Sequence, residues 1–148
     1  MSDYFKLLDI MPSFAIDLTA LESNYFKAQQ RCHPDRYVGK PAAEKQAAMQ
    51  RSVDVNNAYH TLKDPLARAR YLLHLQGVEV GTDKDTVKPS QDLLMEVMEL
   101  RETPIEPKKL EQMRESSISH IGKYFETEDW PAMAEETLRL GYLMKVHA

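Results

Sequence analysis

His33, Pro34 and Asp35 stand side by side, directly after the only cysteine in the chain, Cys32. Cys32 and His33 could be read as a nucleophile and its base. Neighbours in sequence seldom face each other across a helix end, however, and no third group is placed to orient the histidine. A metal centre needs several ligands at close spacing. His33, His60, His74, His120 and His147 are scattered, and none forms a helical pair with another. No metal ligand is therefore expected, and no glycine-rich phosphate loop is present for nucleotide chemistry. The expectation is a protein with no catalytic residue and no cofactor. The chemistry left to this run is recognition. Proline stiffens the backbone, so His33 and Asp35 would meet a partner already ordered, which lowers the entropy cost of docking. Lys27 and Arg31, spaced i,i+4, precede the run, and Arg36 and Lys40 follow it. Such a basic stripe can steer an acidic partner surface. Taken alone, the tripeptide fits an ordinary turn with a solvated charged face equally well.

The elements that must hold these residues read as helices throughout. Ala, Leu, Met, Glu, Gln and Lys dominate, and no stretch alternates polar and apolar residues for long. A short helix is expected from Asp3 to Asp9, ended before Pro12. Asp17 caps a second, Leu18 to Cys32, with Leu21, Tyr25, Ala28 and Cys32 on one face and Lys27 and Arg31 opposite. A loop over Tyr37–Pro41 leads into a long helix, Ala42 to Lys63, carrying Val55, Ala58, Tyr59 and Leu62. Pro65 suits the first turn of a fourth helix, which runs to Gln76 and ends at Gly77. Val78 to Pro89 is polar and reads as a linker. Ser90 caps a helix through Glu102, Pro107 opens the next to about Phe125, and Trp130-Pro131 begins the last. The last two carry Leu110, Met113, Ile118, Ile121 and Phe125, then Met133, Leu138, Tyr142 and Val146. Two long helices and a third antiparallel to them would close a small bundle. The fold class expected is all-α: residues 1–77, a linker over 78–89, and a three-helix bundle over 90–148.

Composition excludes several classes. The formal net charge of -4 argues against a general nucleic-acid binder. No apolar run approaches the ~20 residues needed to span a bilayer. The first residues lack a targeting leader, so a cytoplasmic protein without membrane attachment is expected. Hydrophobic residues at 43% and charged residues at 28% describe a globular chain rather than a disordered one.

The order of motifs narrows the function. Residues 1–77 resemble a J domain: Tyr4-Phe5 and Leu7-Leu8 in the first helix, Leu21, Tyr25 and Lys27 in the second, the His-Pro-Asp turn followed by Arg36, and Val55 through Pro65 closing the third helix. Cys32 stands where many J domains carry tyrosine. Pro65-Leu66-Ala67-Arg68-Ala69-Arg70-Tyr71-Leu72-Leu73 with Gly77, and Leu94 through Glu102, look like the corresponding blocks of the HscB family, co-chaperones of iron–sulfur cluster assembly. The resemblance implies an N-terminal J domain that contacts a DnaK-type ATPase chaperone of the HscA type. Its contact residues would be His33, Pro34, Asp35, Lys27, Arg31 and Arg36. It also implies a C-terminal bundle that holds an IscU-type scaffold protein through Leu94, Met95, Met98, Glu99, Arg101, Glu102 and Tyr142. A monomer is expected.

Leu94 and Met98 admit two readings. They are i,i+4 neighbours with Met95 beside them, so they could form one apolar patch rimmed by Glu99 and Glu102. They could equally be bundle core, since methionine serves both roles. The segment after Glu102 is shorter than is usual in the family. Two other functions remain open at this stage: a J-domain co-chaperone for different clients, and a small metal-dependent hydrolase.

Overall fold

The computed structural model describes residues 3–81 and 87–147. Seven α-helices are found there: α1 (Tyr4–Leu7), α2 (Leu18–Arg31), α3 (Ala42–Lys63), α4 (Pro65–Leu75), α5 (Gln91–Glu102), α6 (Pro107–Glu126) and α7 (Trp130–Lys145). No strand occurs among the described residues. The chain is all-α, with a helical hairpin and flanking helices first and a small helical bundle after it. It separates into two compact units, residues 1–64 and 65–148.

In the first unit α2 and α3 form the hairpin. Asp17 caps α2 as expected, accepting from the N–H groups of Thr19 and Ala20 at 2.9 and 3.2 Å. Leu21, Ala28, Val55, Ala58 and Leu62 are buried between the helices, together with Phe5 and Leu8 of the α1 segment. A polar ladder joins the hairpin along one edge. Ser52 Oγ donates to Gln29 Oε1 at 2.8 Å and Tyr25 Oη to Asn56 Oδ1 at 3.0 Å, while the rings of Tyr25 and Tyr59 stack 4.1 Å apart. The first helix is shorter than its expected Asp3–Asp9 span. Asp3 is its cap, accepting from the Phe5 N–H at 2.9 Å, and the chain leaves the helix through Leu8 and Asp9, the latter at φ 51°.

In the second unit α7 is central. It packs against α6 and α4. Arg114 of α6 donates to the carbonyls of Leu143 and Val146, both at 3.0 Å, and Ser117 lies opposite Glu136, so the two helices run antiparallel. On α5, Ser90 and Glu96 meet Glu135 and Arg139 in the same order along α7. α5 therefore runs parallel to α7, not antiparallel to both long helices. The central position also shifts the buried face of α7. Met133, Ala134, Thr137, Leu140, Gly141 and Leu143 are buried, whereas Leu138, Tyr142 and Val146 of the expected stripe are only half-buried. Gly141 lets α4 approach closely, since a Cβ there would lie 3.2 Å from Arg70 Nη2.

The stretch read as a linker has structure at its start. Gly77, at φ 78°, closes α4 with the Val78 N–H bonded to the Leu73 carbonyl at 2.9 Å, the pattern of a left-handed helix terminus. Glu79 pairs with His74, and Val80 is buried. Residues 82–86 of that stretch lie outside the described residues. No helix among the described residues is long and apolar enough to cross a membrane.

Candidate functional site

The run His33-Pro34-Asp35 lies at the loop end of the α2–α3 hairpin. α2 stops at Arg31, and Cys32 closes it with its N–H on the Gln29 carbonyl at 3.1 Å. The chain then makes a single 3-10 turn over Pro34–Tyr37 instead of an open loop. His33 caps this turn twice. Its carbonyl accepts from the Arg36 N–H at 3.0 Å, and its ring Nδ1 accepts from the Asp35 N–H at 3.2 Å. Tyr37 ties the far side of the turn back to α2, its hydroxyl donating to the Arg31 carbonyl at 3.3 Å. The result is a stiff turn whose acid points to solvent: the Asp35 side chain is 88% exposed. Its carboxylate stands 3.6 Å from His33 Nδ1, beyond a hydrogen bond.

Cys32 has a packing role at the base of the turn. It is buried, with its thiol donating to the Ala28 carbonyl at 3.3 Å. Burial pushes the thiol pKa up, only partly offset by the positive charges of Arg51 and Arg31. A neutral buried thiol is a poor nucleophile. Next to it an apolar groove of about 430 Å³ opens between the turn and α3, with Pro34, Tyr37, Val38, Ala48 and Met49 on its walls. Among the described residues, no group of three or more His, Cys, Asp or Glu side chains is arranged to hold a metal ion.

Lys27, Arg31, Arg36 and Lys40 are all exposed as expected. Arg31 is not simply opposite Ala28: both line a cavity shared with α1 and α3, where Lys6 and Arg51 join them. Those two cations were not anticipated from the sequence. They sit 25 and 20 positions from Arg31 on other elements, and only the packing of α1 on the hairpin brings them near.

The two readings of α5 are now separated. Leu93 and Val97 are the buried residues of this helix. Leu94, Met95 and Met98 are 44%, 63% and 59% exposed. They are not bundle core. At 3.6 residues per turn, Leu94, Met98, Met95 and Glu102 share the outward arc, with Arg101 at one edge and Glu99 at the other. Arg101 borders a groove of about 280 Å³ against α7, which also holds Tyr142, Lys145 and Val146. Glu99 borders a separate cavity towards α6, beside Lys109 and Met113. Tyr142 thus meets Arg101 but stands apart from the methionine face. The helix is clamped from behind. Arg139 Nη2 lies 2.8 Å from Glu96 and Nη1 lies 3.2 Å from Glu136. Burial works against the charged guanidinium, but the bonds and charge of Glu96, then Glu136, outweigh it and raise the Arg139 pKa.

Comparison with known proteins fits this geometry. Residues 3–71 match the DnaJ domain family. The match runs through α1, the hairpin and most of α4, and so crosses the boundary between the compact units. The solved structure of chaperone HscB from Vibrio cholerae is 30% identical, with 97% of this chain and 92% of that chain covered at a TM-score of 0.81. The chain belongs to the HscB family. It is a J-domain co-chaperone. Human co-chaperone HscB is 28% identical, with 99% of this chain and 79% of that chain covered at a TM-score of 0.85. The Jac1 co-chaperone from Saccharomyces cerevisiae shares the fold at 23% identity and a TM-score of 0.68, over 97% of this chain and 92% of that one.

Proposed function

We propose that this HscB-family protein works as a monomer in the cytoplasm and serves iron–sulfur cluster assembly. It carries an IscU-type scaffold protein on the outward face of α5 to a DnaK-type ATPase chaperone of the HscA type. The chaperone docks on the hairpin end through His33, Pro34, Asp35, Lys27, Arg31 and Arg36. The scaffold sits on Leu94, Met95 and Met98, with Glu99, Arg101 and Glu102 around them and Tyr142 at the neighbouring groove. The domain division that goes with this reading is a J domain over 1–77, a connection over 78–89 and a scaffold-binding bundle over 90–148.

The observation that carries the reading is the exposure of Leu94, Met95 and Met98 on a helix whose other side is buried. A J domain alone calls for a chaperone partner and says nothing of a client. Three large apolar side chains on one exposed face, rimmed by charge, supply a client surface of the kind that monomeric proteins otherwise avoid. Methionine suits it because its unbranched, polarisable side chain adapts to a partner. For the turn to switch the chaperone, it must contact the hydrolysis-competent state better than the other. A stiff turn with an exposed acid beside an exposed imidazole is suited to such a state-dependent contact. The test is steady-state ATPase of a DnaK-type chaperone with this protein and an IscU-type scaffold, added separately and together. A rise with the protein, and a larger rise with both, is expected. A scaffold that adds nothing, and does not bind, would leave a co-chaperone for other clients.

A further inference from the structure

We infer that Lys6, Arg31 and Arg51 form a carboxylate socket on the α1 side of the hairpin that grips an acidic side chain of the ATPase chaperone. This rests on the chaperone-docking reading above and adds a specific anchor to it. The three cations come from α1, α2 and α3 and line one cavity of about 340 Å³. No ion pair joins any of them to an acidic side chain among the described residues. Asp3 also lines the cavity and caps α1, accepting from the Phe5 N–H at 2.9 Å; its single negative charge leaves the three cations in excess. Three like charges gathered around one concavity repel each other, and a bound anion relieves that repulsion.

The rest of the lining says which anion. Leu7, Ala28 and Val55 form an apolar floor beside the cations. An aliphatic stem ending in a carboxylate matches both parts at once: the stem lies on the floor and the carboxylate meets the guanidinium groups, which can hold it bidentately. A bare phosphate would leave the floor and most of the volume unused. Arg31 lines this cavity and lies two residues before His33, which links the socket to the turn along the chain. Lys27 lies outside it, exposed to solvent. Lys6, Arg31 and Arg51 are exposed as well, so the shared cavity is what sets them apart: Lys27 steers the encounter, and the socket holds what has arrived.

That difference is measurable. Exposed charges that steer change the association rate, and desolvated contacts change dissociation. The double variant Lys6→Ala, Arg51→Ala removes two exposed side chains and is expected to keep the wild-type melting temperature. In stopped-flow binding to the DnaK-type chaperone, it is expected to dissociate roughly tenfold faster with little change in association. Lys27→Ala is expected to slow association instead. A double variant that dissociates at the wild-type rate overturns the socket. Inorganic phosphate that binds the free protein through Lys6 and Arg51, with dissociation of the chaperone unaffected by their loss, also overturns it, leaving a small-anion site. Asp35→Asn, run beside them, separates this proposal from the docking reading. If Asp35→Asn still stimulates the ATPase, the docking reading fails. If Asp35→Asn is inactive and the double variant dissociates normally, only the socket fails.

Discussion

The turn at Pro34–Tyr37 and the outward face of α5 both offer side chains to solvent, but they are built in opposite ways. The turn is small, and its shape is set by local hydrogen bonds: Asp35 N–H on His33 Nδ1, Arg36 N–H on the His33 carbonyl, and the Tyr37 hydroxyl on the Arg31 carbonyl. The α5 face is apolar and broad, made of Leu94, Met95 and Met98 on a helix held from behind by Leu93, Val97 and the Glu96–Arg139 pair. A surface defined by the position of a few polar atoms is intolerant of a single change in chemistry. A surface defined by apolar area loses affinity in proportion to the atoms removed.

The sharpest way to break this comparison is the smallest substitution. Asp35→Asn replaces one oxygen in an exposed side chain. It is expected to abolish stimulation of a DnaK-type ATPase while changing stability by less than about 0.5 kcal/mol, as for other surface positions. Thermal melting and ATPase turnover on the same sample decide it. Full stimulation by the mutant would show that the turn is only a solvated helix connection.

On α5 the comparison is sharpened by adjacent leucines. Leu93→Ala empties a buried position and is expected to cost about 2–5 kcal/mol of folding stability. Leu94→Ala with Met98→Ala removes exposed atoms and is expected to leave the melting temperature nearly unchanged. If these two anchor the scaffold, their loss costs about 2 kcal/mol each, so binding falls roughly 30-fold for one and towards a thousandfold for both if the losses add. ATPase stimulation without scaffold should persist. Calorimetric titration and melting curves report both. A stable double variant that binds the scaffold normally would remove α5 from the account.

A smaller effect separates steering from contact on the first unit. Lys27→Glu is expected to weaken chaperone binding more at low salt than at high salt, because exposed charges are screened over about 8–10 Å at physiological ionic strength. Equal losses at both salt concentrations would contradict a steering role. Smallest of all is the pH response of Cys32. Burial raises its folded pKa above the ordinary value of 9.0, so the neutral thiol favours the folded state. That contribution is complete below the ordinary value and is lost as pH rises through the folded one. Between about pH 8 and about pH 10, wild-type stability should therefore fall slightly more than that of Cys32→Ala.

Most of this architecture was legible in the sequence. Helix ends marked by Asp17, Pro65, Gly77, Ser90 and Pro107 fall within a residue of expectation, because caps and prolines act locally. The place of His33-Pro34-Asp35 between two helices was legible for the same reason. Three features were not. The 3-10 turn over Pro34–Tyr37 depends on a side-chain bond from the ring of His33, which periodicity does not register. The buried face of α7 was misplaced because that helix is central: neighbours on several sides widen the apolar arc beyond one stripe. The choice between core and surface for Leu94 and Met98 was open because Leu93, Leu94, Val97 and Met98 are two overlapping i,i+4 pairs. Either could have faced inward, and the register is fixed only by the tertiary contacts of α5 with α7.

The central claim is that two separate surfaces act on one chaperone cycle, and steady-state ATPase of a DnaK-type chaperone tests it most directly. Wild-type protein alone should stimulate, and adding an IscU-type scaffold should raise the rate further. Asp35→Asn should remove both increments. Leu94→Ala with Met98→Ala should remove only the second. Loss of the scaffold-independent increment in a folded α5 variant, or a scaffold-dependent increment that survives Asp35→Asn, would contradict the division of labour between the turn and the α5 face.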